Sequence, residues 1–148
     1  MAPKDQTREH FAHLVALQTR WLDNDIYGHV NNVQYYSYFD TAVNQLLIER
    51  GVLDIHAGAV VGFVVETGCT YFSPVSFPDV VHVGIRVARI GASSVRYEVG
   101  LFRNDDPQIA AAGHFVHVYV DRASQQATPI PQATRRVLET LVLAQDST

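Results

Sequence analysis

Residues 23–32 contain the side chains of this sequence that are best suited to chemistry. They combine two carboxylates, an imidazole and several amides, and they lie between two apolar segments. Burying so many polar groups costs free energy unless they have hydrogen-bond partners or a function. An acid just ahead of a helix start also lies near free backbone N–H groups, which can polarise a carbonyl. The segment is therefore predicted to be an active-site loop.

The pattern of apolar residues predicts the elements that hold this loop. Apolar and polar side chains alternate over positions 15–21, which is typical of a half-buried strand. After the loop, apolar residues recur at helical spacing over positions 35–47. Asn31 or Asn32 is a suitable N-cap, and Gly51 stands where a C′ glycine belongs. A long, well-buried helix is therefore expected directly after the loop.

The second half of the chain predicts strands joined by tight turns. The first predicted strand is a nearly continuous apolar run, as expected of a strand covered on both faces, and the rest follow by hairpins. The predicted strands are 59–72, 81–87, 95–101 and 109–120. A short C-terminal helix is predicted to begin at Pro131. The expected fold class is α+β, with a curved antiparallel sheet wrapped around one long helix, which is the layout of the hot-dog fold.

The motif that runs from Trp21 through Asp25, Gly28 and His29 to Tyr35 resembles the acyl-CoA thioesterases of the 4-hydroxybenzoyl-CoA thioesterase type. Its His-Val-Asn-Asn run is most similar to the long-chain acyl-CoA and acyl-carrier-protein branch. The resemblance covers essentially the whole chain. It implies the hot-dog fold and hydrolysis of acyl-CoA to a free carboxylic acid and CoA, and it implies no cofactor.

The resemblance also implies residue roles. Asp25 matches the catalytic carboxylate, which acts as a nucleophile or as the base that activates a water. Asn32 lies where the family offers a backbone N–H to the thioester oxygen, and His29 matches an assisting histidine. The family's asparagine two residues after the acid is Tyr27 here. The residues assigned to substrate binding are Asn31, Tyr35, Arg89, Ser93 and Ser94, of which the last three would meet the nucleotide end of CoA.

The chemistry of a thioester agrees with this interpretation. The thiol that leaves has a pKa near about 8.5, so hydrolysis needs little acid assistance. It requires a carboxylate and a donor for the developing oxyanion, and a helix N-terminus provides roughly +0.5 charge. Asp25 could instead be only a turn or capping residue. The alternative functions are a non-catalytic acyl-CoA-binding or regulatory module on the same fold, a hydratase of that fold, and a purely structural oligomer.

The histidine pair on a predicted strand and the cysteine do not form chemical sites in this interpretation. His114 and His117 are three residues apart, so they point to opposite faces of the strand and do not share a metal. Cys69 has no histidine placed near it and is expected to be a small buried residue. No metal site is predicted.

Composition limits the remaining possibilities. The 148 residues suggest one domain, 1–148, with residues 1–12 loosely ordered. A formal net charge of -4 argues against a broad nucleic-acid-binding surface. Because Cys69 is the single cysteine and no apolar run is long enough for a membrane span, a cytoplasmic location is expected. An exposed sheet edge would be covered by pairing, which predicts a homodimer or homotetramer.

Overall fold

A computed structural model of the chain describes residues 2–143, in which one long helix packs against a five-stranded antiparallel sheet. The elements in chain order are β1 (His13–Gln18), α1 (Asn32–Glu49), β2 (Val60–Tyr71), β3 (Val80–Ile90), β4 (Ser94–Arg103), β5 (Ile109–Asp121) and α2 (Gln132–Thr140). The predicted α+β hot-dog architecture, including the short C-terminal helix, is confirmed.

The strand order is β1-β3-β4-β5-β2, so the predicted run of hairpins is correct only from β3 to β5. The expected hairpin between β2 and β3 is wrong, because β2 pairs with β5 at the far side of the sheet. The connection over residues 72–79 is too long for a tight turn. It crosses to the predicted active-site loop, where the Val30 N–H donates to the Val75 carbonyl at 2.7 Å.

The prediction that strand β2 is covered on both faces is wrong. It lies at the edge of the sheet, where among residues 2–143 it pairs with β5 alone. As a result its apolar side chains remain exposed, with Phe63 at 45%, Val64 at 46% and Val65 at 61%. A long apolar edge strand is a surface that other strands readily pair with.

Helix α1 supplies one wall of the core. Its buried side chains are Tyr35, Tyr38, Phe39, Ala42, Val43, Leu46 and Leu47. They pack against the face of the sheet that bears Val83, Ile85, Val99 and Leu101. Gly51 has a φ of +74°, so it ends the helix in the left-handed conformation predicted for a C′ glycine.

The N-terminal segment, expected to be loosely ordered, differs from that expectation in its described part. It forms 3-10 turns at Pro3–Asp5 and Arg8–His10 and then buries Phe11 on the sheet face opposite α1. The Phe11 ring fills the space above two glycines, since a Cβ at Gly84 would lie 2.5 Å from it and one at Gly100 would lie 2.6 Å away. The burial of this ring and the hydrogen bonds from Arg8 to the Asp106 carbonyl and from Arg86 to the His10 carbonyl hold the segment on the sheet.

Candidate active site

Residues 23–31 form a tight hairpin directly ahead of α1. The Asp25 N–H donates to the His29 carbonyl at 2.9 Å, the Gly28 N–H to the Asp25 carbonyl at 3.0 Å, and the Asn31 N–H to the Asp23 carbonyl at 2.9 Å. Gly28 closes the turn with a φ of +82°, a conformation that side chains disfavour. The pairing places Asp25 and His29 opposite one another near the tip of the hairpin.

The residues before the hairpin do not continue the strand as predicted. Strand β1 ends at Gln18, and Trp21 lies in a 3-10 turn, Trp21–Asp23, with 76% of its surface exposed. The turn is favoured because the Asp23 carboxylate accepts a hydrogen bond from the Arg20 N–H at 2.8 Å. Trp21 thereby stands beside the hairpin and contacts Phe77 edge to face.

Asp23 holds the hairpin to α1. Its side chain is buried; Oδ2 accepts the Tyr38 hydroxyl at 2.6 Å, and Oδ1 accepts the Arg20 guanidinium at 2.8 Å. Burial favours the neutral carboxyl, but the hydrogen bonds from Tyr38 and Arg20 outweigh it and hold the pKa of Asp23 below its usual value. Burial, together with the Asp23 carboxylate, raises the pKa of the Tyr38 hydroxyl. Both acceptor oxygens of Asp23 are therefore used in fixing the loop.

Asp25, two residues later, is in the opposite situation. Its Oδ1 accepts the Tyr27 N–H at 2.9 Å, and within residues 2–143 its Oδ2 accepts no hydrogen bond. The carboxylate is partly exposed and borders a shallow surface cavity. That cavity is lined by Trp21, Asn24, Asp25, Ile26 and Gly28. Asp25 is thus held by one hydrogen bond and has one oxygen available for reaction.

The start of α1 has one uncommitted backbone donor. The Asn31 side chain caps the helix by accepting the Val33 N–H at 3.0 Å, and the Asn31 carbonyl accepts the Gln34 N–H at 2.9 Å. Among the described residues the Asn32 N–H has no acceptor. The Asn32 carbonyl accepts the Tyr71 hydroxyl of β2 at 3.1 Å, which ties the start of α1 to that strand.

Two further predicted site residues lie in the same region. The His29 side chain is exposed, and it makes no hydrogen bond with any residue that the structure describes. Tyr35 is buried, with its ring centroid 4.9 Å from that of Tyr71. Its role in substrate binding stays a prediction.

The predicted CoA-binding residues lie elsewhere. Arg89, Ser93 and Ser94 are at the hairpin between β3 and β4. Strand β3 begins near the loop, just after Ser76, whose hydroxyl donates to the Gly28 carbonyl at 2.7 Å, and its ends at Val80 and Ile90 are ten positions apart. At about 3.3 Å per residue this is a separation of about 33 Å. One chain does not bring these residues together with Asp25.

Sequence reasoning missed a second cavity of about 400 Å³ at the far end of α1. His117 and Tyr119 on β5 line it, on the face of the sheet that packs against the helix. His114 points to the other face and bonds Glu66 at 2.8 Å, so the prediction of opposite faces is confirmed. Burial lowers the pKa of His117, although the Asp40 carboxylate of α1 acts against it. The sequence feature that could have indicated this cavity is the alternation of Phe115, His117 and Tyr119, which places a histidine among aromatic residues on one face of a strand.

Residues 2–143 contain neither a metal-binding cluster nor a membrane-spanning helix. No group of three or more His, Cys, Asp or Glu side chains in that range is arranged to hold a metal ion. The helices of the same range are too short or too polar to cross a membrane.

Comparison with known proteins gives one family. The model of the thioesterase-like superfamily matches residues 19–138. The PA5185 protein from Pseudomonas aeruginosa strain PAO1 is 54% identical over 92% of this chain and 95% of that chain, with a TM-score of 0.90. A thioesterase from Thermus thermophilus, solved with coenzyme A and zinc, is 31% identical over 88% of this chain and 95% of that chain, with a TM-score of 0.74.

A more distant structure shares the fold. The 1,4-dihydroxy-2-naphthoyl-CoA thioesterase Slr0204 from Synechocystis is 18% identical over 84% of this chain and 93% of that chain, with a TM-score of 0.78. No curated protein matches the sequence.

The family match begins before the Asp25 hairpin and ends within α2, so it includes both the candidate site and the sheet. Together with the neighbours that are thioesterases, it supports thioester hydrolysis as the general class of reaction. The chain belongs to the thioesterase-like superfamily.

Proposed function

We propose that the protein hydrolyses acyl-CoA thioesters to free carboxylic acids and CoA, with Asp25 as the catalytic carboxylate and the Asn32 N–H as the oxyanion donor. The main support is the hydrogen bonding at the start of α1. One carboxylate oxygen, Oδ2 of Asp25, and one backbone donor, the Asn32 N–H, lack partners among the described residues, whereas the side chains of Asp23 and Asn31 on either side are paired. A nucleophile or base and an oxyanion donor are the two groups that thioester hydrolysis requires.

The reaction follows one of two routes that need the same carboxylate. In the first, Asp25 attacks the thioester carbonyl carbon, the C–S bond breaks, CoA leaves as a thiolate, and water then hydrolyses the resulting anhydride. In the second, Asp25 removes a proton from a water that attacks the same carbon, and the C–S bond then breaks to release the CoA thiolate. In both, negative charge develops on the thioester oxygen, and one well-aimed donor stabilises it by about 2.7–4 kcal/mol. His29, opposite Asp25 in the hairpin, assists proton transfer.

The distance to the predicted CoA-binding residues supports a homodimer. If the β2 edges of two copies pair antiparallel along their full length, Val60 of one copy lies opposite Tyr71 of the other. Tyr71 is bonded to Asn32, so the pairing brings the far end of one copy to the catalytic loop of the other. Arg89, Ser93 and Ser94 of the second copy would then bind the nucleotide end of CoA. A homotetramer would join two such dimers.

The acyl carbons next to the thioester would lie beside Asn31 and Tyr35 at the start of α1. The protein's single cysteine, Cys69, is compatible with a reducing compartment, and we propose a cytoplasmic location on this basis.

The test is release of free thiol from a panel of acyl-CoA thioesters with short alkyl, long alkyl and aryl groups. Asp25→Asn keeps the oxygen that accepts the Tyr27 N–H, so the turn should persist while the charge is lost. We expect kcat to fall by about 10²–10⁴-fold with CoA affinity retained.

Asp106→Asn is the matched control, because the Asp106 carboxylate also accepts the N–H of the second residue after it, that of Gln108, at 2.9 Å. This variant should keep full turnover. Undiminished turnover by Asp25→Asn would refute the role of Asp25. Saturable binding of acyl-CoA by the unaltered protein without turnover of any thioester would instead establish the non-catalytic binding module.

A further inference from the structure

The cavity at the far end of α1 has walls from four parts of the chain. They are the second half of α1, the loop before β2, strand β5 and the start of α2, and the volume is about 400 Å³. Its lining includes Leu47, Val52, Val60, Tyr119 and Pro131. An engineered cavity of about 150 Å³ accommodates benzene, so this volume is enough for a ring with substituents or for an alkyl chain.

A buried histidine forms part of the wall of this cavity. His117 is 5% exposed, and within residues 2–143 neither ring nitrogen makes a hydrogen bond. Its Nδ1 faces the space beside Gly62, where an added Cβ would lie 3.5 Å away. Behind it, the fully buried hydroxyl of Tyr97 also lacks a partner among the described residues, and the two rings are 5.1 Å apart. The other polar side chains of the lining are Asn44, Asp54, Tyr119 and Thr134.

The ring nitrogens of His117 can bond a molecule in the cavity, whereas the occluded and unpaired Tyr97 hydroxyl is exceptional in a folded protein. Buried side-chain polar atoms are normally hydrogen-bonded, because leaving them unpaired costs their full desolvation. A buried neutral imidazole offers one donor and one acceptor. An apolar side chain would fill the place of His117 at a lower cost. The arrangement therefore indicates a ligand that is mostly apolar and has an oxygen at the depth of His117.

This cavity does not serve Asp25 of its own chain. Asn31 and Asn44 are thirteen residues apart on α1, which at about 1.5 Å per residue is about 20 Å. In the proposed dimer, however, Val60 at the cavity lies opposite Tyr71 of the second copy, which is bonded to Asn32. The cavity of one copy would therefore be adjacent to the catalytic loop of the other.

We infer that this cavity binds the acyl group of the substrate and that His117 and Tyr119 recognise a hydroxyl or carbonyl oxygen on that group, remote from the thioester. This rests on the proposed hydrolysis of acyl-CoA, whose acyl group it assigns to an oxygen-bearing class.

The test compares two matched pairs of thioesters. They are 4-hydroxyphenylacetyl-CoA with phenylacetyl-CoA, and 10-hydroxydecanoyl-CoA with decanoyl-CoA. We expect the hydroxylated member of at least one pair to have a KM lower by about tenfold, with little change in kcat, because one added hydrogen bond of about 1.4 kcal/mol changes affinity tenfold. His117→Leu should abolish that preference, and His117→Gln, which retains a donor and an acceptor, should restore part of it.

His114→Leu is the matched control. It removes the same side chain three residues away on the same strand, but from the opposite face of the sheet, where His114 bonds Glu66. The preference should survive this change. Equal KM values within both pairs for the unaltered protein, or a preference that persists in His117→Leu, would overturn the inference.

A binding measurement separates this inference from the proposed reaction. Non-hydrolysable thioether analogues of the four thioesters are titrated calorimetrically into the unaltered protein and into His117→Leu. If no thioester is hydrolysed but the hydroxylated thioether binds more tightly in a way that depends on His117, the proposed reaction fails and the cavity assignment stands.

If His117→Leu does not fold, a measurement on the unaltered protein replaces it. Binding of the hydroxylated thioether should then shift the ring ¹⁵N resonances of His117 in the unaltered protein, and Tyr119→Phe should weaken that binding. Unshifted resonances at saturation would overturn the assignment.

Discussion

The two ends of α1 use polar groups in opposite ways. At the N-terminal end, Asp23 accepts hydrogen bonds from Tyr38 and Arg20, and the polar groups that hold the hairpin are paired. At the C-terminal end, the His117 ring and the Tyr97 hydroxyl are buried without partners in the described part of the chain. At the first end a buried, fully paired aspartate supports one available carboxylate, whereas at the second a buried histidine without a hydrogen bond lines a cavity.

The first arrangement suits the positioning of a reacting group, and the second suits the recognition of a ligand. A fully satisfied polar network is rigid and fixes a single geometry, which a reacting carboxylate requires. An unsatisfied buried group is a cost to the folded protein that a ligand can remove. Because the two ends are about 20 Å apart along one helix, they can act on one substrate only if two chains combine them.

The largest expected effect comes from preventing two chains from pairing through β2. Phe63→Lys places a charge on the edge of β2, where Phe63 is 45% exposed, and should prevent two copies from pairing. We expect a monomer by light scattering and a loss of turnover of at least about 100-fold, since catalytic geometry is sensitive to misplacement.

Leu14→Lys is the control for this change, because Leu14 is 40% exposed on β1, the other edge of the same sheet. It should leave both the dimer and turnover intact. A Phe63→Lys protein that remains dimeric with full turnover would exclude pairing through β2.

A smaller effect is expected from removing one hydroxyl at each end of α1. Tyr38→Phe deletes a hydrogen bond to the buried Asp23 carboxylate and should lower the free energy of unfolding by about 1.5–3 kcal/mol. Tyr97→Phe deletes a hydroxyl that has no partner within residues 2–143 and should be neutral or stabilising. Urea denaturation measures the free energy of unfolding of both variants. Equal losses of stability would show that the two hydroxyls contribute alike, against the difference described above.

The smallest expected effect is a difference between the two ends of α1 in how pH changes the stability of the protein. The folded pKa of Asp23 is lowered by its hydrogen bonds, so its contribution to stability is present above the unfolded pKa of about 3.9 and is lost as the pH falls through the folded value. The folded pKa of His117 is lowered by burial, so the unfolded chain takes up the proton first. Stability should then fall as the pH drops below about 6.5.

His117→Leu should remove the loss of stability near pH 6 and keep the loss in stronger acid, as measured by urea midpoints from above about pH 6.5 to well below about pH 3.9. Asp23→Asn should do the reverse. An unchanged profile in the upper part of this range in His117→Leu would show that other groups dominate there, and His114→Leu provides the comparison.

Much of the fold was predictable because its signals are local. The helical spacing before Gly51, the Asn31 cap and the alternating strands from β3 to β5 each depend on neighbouring residues, and the structure confirms them. The position of β2 was not predictable in this way. A continuous apolar run has the same pattern in a covered strand and in an exposed edge strand, and only the pairing of β2 with β5 distinguishes them.

For the candidate site, the types and spacing of residues 23–32 are enough to indicate a carboxylate beside a helix start. Tertiary structure alone decided which aspartate is buried and which is available, because Tyr38 lies fifteen residues after Asp23 and reaches it only through the packing of α1. It likewise decided that His117 and Tyr97 meet behind one cavity, since they come from different strands. Hydrogen-bond partners distant in sequence have no local pattern, so these distinctions arise only when the chain is folded.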